Sequence, residues 1–323
     1  MRRLGALAGW LFAAVMIAAG SANAQQAYPA HAVRFILPFN PASASDITAR
    51  LFADRLAARW GKPVVVENRP GGDGLVSLQA FVGANDDHTL WFGPAGIFTV
   101  LPYGHDTLSF DPQRDIVPIV SVSDVVLAVS APASMHIDTI DQLVALAKAQ
   151  PGKLNAAAAN GISDFLIFGW IKEMGLEIVK VPYRDIMQAP NDLAEERIQV
   201  LSTSFAVVQP LMRAGKIKVL AVTSTQPAPT APDIPTAKEA GYPGLTFESI
   251  GGIFGPPGMA PSVRESIAAD VRAVSADPVI AARLGDIGTI MDIRGPAEFA
   301  ASVQEQRDRI AAIAKVLGLK AAQ

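Results

Sequence analysis

The sequence predicts an α/β fold with two lobes, and three observations support this prediction. Short apolar runs rich in β-branched and aromatic residues alternate with longer segments of helical period, which predicts mostly parallel sheets covered by helices. Half of the residues are apolar and 18% are charged, so a large buried core is available. The chain of 323 residues exceeds the usual size of one domain, which indicates two compact lobes or one large domain.

Residues 1–24 have the pattern of a secretory signal peptide. Arg2 and Arg3 precede an apolar stretch over residues 4–19, and Ala22-Asn23-Ala24 supplies a small-x-small cleavage site. A membrane anchor is the weaker alternative, because the apolar stretch is shorter than the roughly 20 residues that span a bilayer. We therefore predict that the mature chain begins near Gln25 and folds outside the cytoplasm.

The first elements of the mature chain form a predicted βαβ unit. Val33–Leu37 is a short apolar run typical of a buried strand. After a turn-forming stretch, apolar residues recur at helical spacing over Asp46–Trp60, with Ser45 as the predicted N-cap and Gly61 as the C-terminal stop. Val64–Val66 predicts the next strand.

The remaining elements follow from the same criteria. Further strands are predicted at Thr89–Phe92, at Ile116–Val129 as one or two segments, and at Leu154–Ala158, Val179–Val181, Val200-Leu201, Val219–Val222 and Ile253-Phe254. Further helices are predicted at Leu75–Val82, Ile140–Ala149, Phe165–Met174, Val207–Ala214, Ser262–Ser275, Pro278–Leu284 and Pro296–Leu317. In such sheets, ligands bind beyond the carboxyl ends of the strands.

Composition excludes several classes of function. The net charge is −3 with both signs scattered, so we expect no nucleic-acid partner. The chain has no cysteine, which excludes disulfides, thiol nucleophiles, thiolate metal sites and the common lipoprotein anchor. We expect no metal and no cofactor.

Local catalytic motifs are also missing. The sequence has no G-x-S-x-G elbow, no Walker loop, no H-E-x-x-H and no G-x-G-x-x-G after a strand. His31, His88, His105 and His136 are far apart beside loop-like residues, and we interpret them as surface histidines. A Ser/His/Asp site assembled only in space stays possible, although nothing local indicates one.

Two strand-to-helix junctions are the candidate binding elements. Asn40–Asp46 and Ala159–Asp164 each place serine hydroxyls and unpaired backbone N–H groups at the start of a helix. If the two junctions face each other across a cleft, together they would hold a carboxylate or a similar anion. Ordinary N-capping is the alternative interpretation, because every α/β protein has several such turns.

An ordered set of segments runs along the mature chain: Tyr28-Pro29, Val33–Phe39, Asp46–Arg50, Val64–Gly71, Val181–Arg184, Ala214–Ser224, Pro232–Thr236 and Glu239–Gly241. Together these segments resemble the Bug, or TctC-like, proteins, the periplasmic solute-binding components of tripartite tricarboxylate transporters. The resemblance implies a type II periplasmic binding protein that closes on its ligand like a flytrap. It divides the chain into a signal peptide (1–24), a first lobe (25–124 and 226–323) and a second lobe (125–225).

The resemblance also implies a set of ligand-binding residues at the two junctions. These are Phe39, Pro41, Ala42, Ser43, Ala44, Ser45 and Asp46 on one side, and Ala158, Ala159, Asn160, Gly161, Ile162, Ser163 and Asp164 on the other, with Tyr183 and Asp185 nearby. Closure requires a hinge, which we expect near Ser121–Val125 and Thr223–Pro227.

The sequence departs from the family pattern at several of these positions. Ala42-Ser43 stands where the family has a Gly-Gly pair, so the loop could differ in shape or offer the Ser43 hydroxyl. Leu166 stands where a histidine is common, and Ile250–Gly252 lacks the family's bulky aromatic residues. Asp164 and Asp185 add acidic groups, so one hypothesis is a ligand that carries an amine, an amide or another donor, or is neutral, rather than a plain di- or tricarboxylate. The alternative is that both aspartates face solvent.

The sequence thus predicts a monomeric, non-catalytic periplasmic receptor. It would capture a small organic, carboxylate-bearing ligand and pass it to membrane transporter subunits. Two alternatives stay open. One is a receptor that feeds a sensor, and the other is an exported hydrolase or isomerase that uses a cleft aspartate with a serine.

Overall fold

The computed structural model describes residues 28–159, 161–183 and 185–322, so the predicted signal peptide at residues 1–24 lies outside the described residues. The strands are β1 (Val33–Leu37), β2 (Val64–Asn68), β3 (Thr89–Pro94), β4 (Val117–Val125), β5 (Leu127–Pro132), β6 (Leu154–Ala158), β7 (Ile178–Lys180), β8 (Val200–Ser204), β9 (Ile217–Val222), β10 (Ile250–Gly255) and β11 (Thr289–Met291). The helices are α1 (Ala44–Trp60), α2 (Leu75–Ala84), α3 (Gly96–Gly104), α4 (Ile140–Ala149), α5 (Ile162–Glu173), α6 (Ala189–Ala194), α7 (Phe205–Arg213), α8 (Pro261–Ser275), α9 (Pro278–Asp286) and α10 (Pro296–Leu317).

The strands form two sheets, each flanked by helices, which confirms the two-lobed α/β prediction. The first sheet has the order β11-β4-β10-β3-β1-β2, and the second has the order β7-β6-β8-β5-β9. We call the first sheet with its helices the first lobe and the second sheet with its helices the second lobe. The chain crosses between β4 and β5 and returns between β9 and β10.

The prediction of mostly parallel sheets is confirmed for strand direction, since among the described strands four of six in the first sheet and four of five in the second run the same way, but each sheet also contains antiparallel strands. Strand β1 pairs in parallel with β2 and β3, and β6 pairs in parallel with β7 and β8. Strand β10 is antiparallel to β3 and β4, and β5 is antiparallel to β8 and β9. The reason is the double crossing: β5 and β10 begin where the chain enters a sheet from the other lobe, so they run opposite to the strands that end there.

Several elements differ from the sequence prediction in extent. Helix α1 begins at Ala44 rather than Asp46, and α5 begins at Ile162 rather than Phe165. Helices α3 and α6 and strand β11 were not predicted. Helix α3 contains Pro102 and is bounded by glycines, and β11 has only three residues, so neither presents a clear period.

Helix α10 belongs to both lobes. Phe299 and Val303 pack into an apolar cluster of the first lobe, whereas Ile310 and Ala314 pack into the main apolar cluster of the second. The contact with α5 is close, because a Cβ added to Gly169 would lie 2.6 Å from Ile313 Cγ2. One helix therefore ties the two lobes together on the side where it crosses.

A cluster of charged groups lies at the crossing between the lobes. Arg294 Nη2 lies 2.8 Å from Glu248 Oε2 and 2.8 Å from Asp292 Oδ2. Asp124, at the end of β4, is 5% exposed, and its Oδ1 has no hydrogen-bond partner among the described residues. Burial raises the pKa of Asp124 well above its usual range, and the neighbouring carboxylates of Glu248 and Asp292 raise it further.

The interpretation of every histidine as a surface residue is wrong for His88, which is buried. Its Nε2 accepts a hydrogen bond from the Ala30 N–H (3.0 Å), and its Nδ1 lies 2.6 Å from Asp87 Oδ1. The His31 ring stacks on it with 3.7 Å between centroids. The two histidines, distant in sequence, anchor the segment before β1.

Candidate functional site

The first predicted junction forms a capped loop at the start of α1. Ser43 is the N-cap, and its Oγ accepts a hydrogen bond from the Asp46 N–H at 3.2 Å. The prediction of Ser45 as the N-cap is therefore wrong, because the helix starts two residues earlier. The N–H groups of Ala44 and Ser45 precede the helical hydrogen bonds, and neither has an acceptor among the described residues.

Asp46 holds this loop together. Its carboxylate accepts hydrogen bonds from Arg50 Nε and Nη2, each at 3.0 Å, from Asn68 Nδ2 at 2.9 Å and from the Ala42 N–H at 2.9 Å. Burial by itself raises the pKa of Asp46, but these hydrogen bonds together hold it below its usual range. A carboxylate with four such partners is a structural group of the loop, so we do not assign it to the ligand.

Ala42, which stands where the resemblance places a glycine, has a glycine-like backbone. Ala42 has φ 66°, in the left-handed region that an alanine adopts only at a cost. Asn68 Nδ2 also donates to the Phe39 carbonyl at 2.9 Å, which fixes the start of the loop. The Asp46 network therefore imposes on Ala42 a conformation that glycine adopts freely. Pro41 and Ala42 are exposed at the tip.

The second predicted junction lies between β6 and α5. Gly161 is the N-cap of α5 with φ 84° and ψ −129°, and Ile162 and Ser163 supply the first helical N–H groups. Ile162 and Ser163 are both buried. The backbone closes the turn, because the Asp164 N–H donates to the Ala159 carbonyl at 3.1 Å. Asn160, a predicted ligand contact, lies outside the described residues.

Asp164 is paired rather than free. Lys180 Nζ lies 2.6 Å from its Oδ1 and donates to its Oδ2 at 2.7 Å. Asp46 and Asp164 thus occupy equivalent places in the first turns of α1 and α5, and each has a cation beside it. Because each negative charge is balanced locally, the N-terminal ends of both helices keep their attraction for an anion.

The end of β3 brings the two junctions together. Pro94 lies with Ala44 and Ser45 around one small cavity. Two residues further on, Gly96 opens α3 and contacts α5, since a Cβ at this position would lie 2.3 Å from Ile162 Cγ1. The N-terminal ends of α1 and α5 therefore approach each other from opposite lobes across the β3–α3 turn.

Tyr183 and Asp185 make contacts within the second lobe. The Tyr183 hydroxyl donates to Asp192 Oδ2 at 2.7 Å, and its burial, together with that carboxylate, raises its pKa to about 12. Asp185 is exposed, and its Oδ1 accepts from the Met187 N–H at 3.0 Å, capping its own short turn. Among the described residues, no hydrogen bond joins either side chain to the two junctions.

Sequence reasoning missed the wall of the small cavity under the first turn of α1. Its lining residues are Ala44, Ser45, Thr48, Phe92, Gly93, Pro94, Ser123, Val125, Gly251 and Thr289. Thr289 lies on the short strand β11, and Ser123 lies on β4, so no local motif joins them to α1. The only signal was the rule that ligands sit at the carboxyl ends of strands, which pointed to the end of β3.

Other candidate features lie elsewhere. An open groove of about 470 Å³ on the second lobe contains none of the predicted site residues; it is lined by Ala133, Ser134, Asn191, Ala194, Glu195, Leu211, Gly215 and Lys216. Among the described residues, no group of three or more acidic or histidine side chains is arranged to hold a metal ion. Within that same part of the chain, every helix is too short or too polar to span a bilayer.

Two mixed sheets joined by a double crossing, with two helix N-termini beside the β3–α3 turn between the lobes, are the architecture of periplasmic solute-binding proteins. The chain belongs to the tripartite tricarboxylate transporter family receptors (TctC), whose family profile matches residues 48–319. The family and the fold are those of solute-binding proteins rather than of enzymes.

Curated relatives and solved structures agree with this assignment. Protein BugT of Bordetella pertussis is 30% identical over 270 residues, covering 81% of each chain. A UPF0065 protein from the tcbD-tcbE intergenic region of Pseudomonas sp. (strain P51) is 30% identical, covering 85% of this chain and 83% of its own. The periplasmic binding protein BugD superposes with a TM-score of 0.74 at 26% identity, covering 92% of this chain and 100% of BugD. R. palustris Rpa4515 with adipate gives a TM-score of 0.78 at 26% identity, with the same coverage of 92% and 100%.

Proposed function

We propose that this protein is a periplasmic receptor that binds a small organic carboxylate between its lobes and delivers it to a tripartite tricarboxylate-type transporter in the membrane. The observation that carries the proposal is the pair of helix N-termini, α1 and α5, that approach each other across the β3–α3 turn. Each ends in backbone N–H groups that suit an anion, and each has its own acidic side chain balanced by a cation.

The proposed carboxylate contacts are backbone groups. On the first lobe they are the N–H groups of Ala44 and Ser45, and on the second lobe those of Gly161, Ile162 and Ser163. Ser43, Asp46 and Asp164 hold these groups in place instead of contacting the ligand. Asp164 is paired with Lys180, and the exposed Asp185 caps its own turn, so neither aspartate gives a reason to expect an amine on the ligand, and a ligand with only carboxylate charges is favoured.

The bound adipate of Rpa4515 supports a carboxylate ligand, because that protein has the same fold and is 26% identical to this chain. Membership of the TctC family supports the transporter as the partner. A function as a receptor for this transport system also agrees with the sequence signature for export at residues 1–24.

Closure of the lobes is part of the proposal. We place the first lobe at 25–124 and 226–323 and the second lobe at 125–225, so that the hinge contains the β4–β5 and β9–β10 connections. Support comes from the strand order, since strands before β5 and after β9 pair in the first sheet. Ligand binding would bring the α1 and α5 termini onto one carboxylate and bury it.

A thermal-shift screen of the mature chain, residues 25–323, tests this function. The screen uses adipate, succinate, glutarate and citrate, with amino acids and neutral amides as comparison classes. A carboxylate at several hundred to a thousand times its Kd should stabilise the protein by about 3–4 kcal/mol. Neutral amides should give no shift. A receptor should leave the stabilising carboxylate chemically unchanged, which NMR after overnight incubation with the protein measures. Conversion of the carboxylate into a product would contradict the receptor function.

The variant Ala44→Pro tests the assigned contact. Proline is tolerated at the first position of a helix, and Ser43 already has the extended backbone that proline requires of its predecessor (φ −68°, ψ 160°). The substitution therefore removes one N–H and leaves α1 intact. A hydrogen bond to a charged group contributes about 1.5–3 kcal/mol, so carboxylate binding should weaken by about tenfold or more. The matched control Ala44→Gly keeps the N–H and adds no group to the site, so it should bind like the wild type. Equal affinities of all three proteins would contradict the contact.

A further inference from the structure

The small cavity under the first turn of α1 has a wall of hydroxyl groups. Ser45 and Thr48 contribute from α1, Ser123 from β4 and Thr289 from β11. Thr48 is already engaged, because its hydroxyl donates to the Ala44 carbonyl at 2.8 Å. We call this site, with the ten lining residues given above, the hydroxyl cavity.

Thr289 is the unusual member of this wall. It is 2% exposed, and its Oγ1 has no hydrogen-bond partner among the described residues. A buried hydroxyl without a partner is unfavourable, and folded proteins rarely keep one without a reason. A bound ligand that supplies a hydrogen-bond partner would explain an unpaired hydroxyl in a cavity next to a helix N-terminus.

Gly251 keeps the cavity open, because a Cβ at this position would lie 3.3 Å from Ser123 Oγ, which belongs to the wall. A larger residue here would narrow the space that the wall encloses. The cavity has a volume of about 10 Å³, which is about the space of one water-sized group.

The wall carries no charged side chain. Asp124, the neighbour of Ser123 along β4, instead lies near Glu248, Asp292 and Arg294, as its perturbed pKa reflects. Successive side chains of a strand point to opposite faces, which separates Asp124 from the cavity. A hydroxyl-lined space without charge suits one small, uncharged, hydrogen-bonding group.

We propose that Thr289 and Ser123 are specificity-determining residues that receive a hydroxyl group of the ligand, so that the ligand class is hydroxycarboxylates. The inference rests on the proposed function. Ser45 supplies an N–H to the proposed carboxylate site and also lines the hydroxyl cavity. The ligand hydroxyl therefore lies close to the carboxyl group, on the adjacent carbon or the one after it.

Isothermal titration with matched pairs of acids tests the inference. The pairs are succinate with L-malate and D-malate, and glutarate with the two enantiomers of 2-hydroxyglutarate. The wild type should bind one hydroxylated acid at least tenfold more tightly than its unsubstituted counterpart, because the acid without the hydroxyl leaves Thr289 unpaired.

The variant Thr289→Val removes the hydroxyl and keeps the shape of the side chain. We expect it to reduce the preference for the hydroxylated acid by about fivefold to tenfold without weakening the unsubstituted acid. Thr289→Ser restores the hydroxyl and should restore the preference. A general loss of fold would instead weaken every acid in both variants, and circular dichroism and thermal unfolding of each variant identify that case.

The outcomes separate the two proposals. Equal affinities within both pairs, or a preference that Thr289→Val leaves unchanged, would overturn the hydroxyl assignment while the receptor function stands. Failure of every carboxylate, hydroxylated or not, to bind the wild type would overturn the receptor function and this inference with it.

Discussion

Asp46 and Asp124 are both buried carboxyl groups, yet their surroundings give them opposite effects on stability. Asp46 accepts hydrogen bonds from Arg50, Asn68 and a backbone N–H, which lower its pKa. Asp124 lies away from water beside two other carboxylates, and its pKa is raised. A carboxyl group whose pKa is lowered by folding stabilises the folded protein at pH values above its pKa in the unfolded chain. A carboxyl group whose pKa is raised by folding destabilises the folded protein at those pH values.

The variants Asp46→Asn and Asp124→Asn should therefore have opposite pH profiles. At pH 7, Asp46→Asn should lose about 1.5–3 kcal/mol, because charge-assisted hydrogen bonds are replaced or broken. That loss should shrink as pH falls below 3.8, through the lowered pKa, where the wild-type carboxyl becomes protonated too. Asp124→Asn should be more stable than the wild type at neutral pH, and its advantage should disappear as the pH falls towards 3.8.

Urea denaturation of the three proteins at intervals from pH 2.5 to pH 8 measures both effects, because this range includes the acid region in which Asp46 titrates. Each variant serves as the control for the other, because both replace a buried aspartate by asparagine. Parallel pH profiles would contradict the assignment, and so would a destabilised Asp124→Asn at pH 8.

At the residue scale, the sequence predicted where a loop lies better than it predicted which side chains hydrogen-bond to each other. The junction at Asn40–Asp46 lies between a strand and a helix, as predicted, but the sequence does not show that Asp46 holds the loop together. Its partner Asn68 lies 22 residues further along the chain, so no local pattern reveals the hydrogen bond. The same limit applies to Thr289, whose cavity is formed by four strands and a helix that only the tertiary fold brings together.

At the scale of elements, the contact between α3 and α5 sets how closely the two lobes approach. Gly96 has no room for a Cβ, which would lie 2.3 Å from Ile162 Cγ1. We expect Gly96→Ala to destabilise the protein by about 1–3 kcal/mol, because the added methyl group overpacks the contact. Since Ile162 lies in the first turn of α5, the variant should also weaken ligand binding.

A double-mutant cycle checks this contact. Ile162→Ala removes the opposing side chain, so Gly96→Ala should cost less in that background than in the wild type. Gly83→Ala is the matched control: Gly83 is an exposed residue of α2 with no atom within 4 Å of an added Cβ, and its replacement should stabilise the helix by up to about 1 kcal/mol. Additive effects of Gly96→Ala and Ile162→Ala would contradict the contact.

Elements with a clear period were predictable, and short or irregular ones were not. Helix α4 and strand β6 have the predicted bounds, because their apolar residues recur at one spacing between clear stop signals. Helix α3 was not predicted, because Pro102 and the glycines at both ends of the helix disfavour a helix in isolation. Tertiary packing therefore decides its conformation. The direction of β5 and β10 depends on which lobe the chain has just left, which no local pattern encodes.

At the scale of the whole molecule, α10 makes the lobes interdependent. Val303 packs in an apolar cluster of the first lobe, and Ile310, two turns later, packs in the main cluster of the second. A receptor needs lobes that move relative to each other at the hinge but do not unfold separately. A helix shared by both cores provides that coupling, because neither core is complete without it.

We therefore expect one cooperative unfolding transition for the mature chain. Trp60 and Trp91 report on the first lobe and Trp170 on the second, so a Trp170→Phe variant and a double Trp60→Phe, Trp91→Phe variant follow each lobe separately by fluorescence. Within each variant, the fluorescence and circular dichroism midpoints in urea should coincide.

Ile310→Ala should lower the free energy of unfolding by about 2–4 kcal/mol in a single transition. The exposed Val316→Ala on the same helix should change it by less than about 0.5 kcal/mol. Two separated transitions in the wild type would show that α10 does not couple the lobes, and the interdependence would then have to be abandoned while the binding site at α1 and α5 stands.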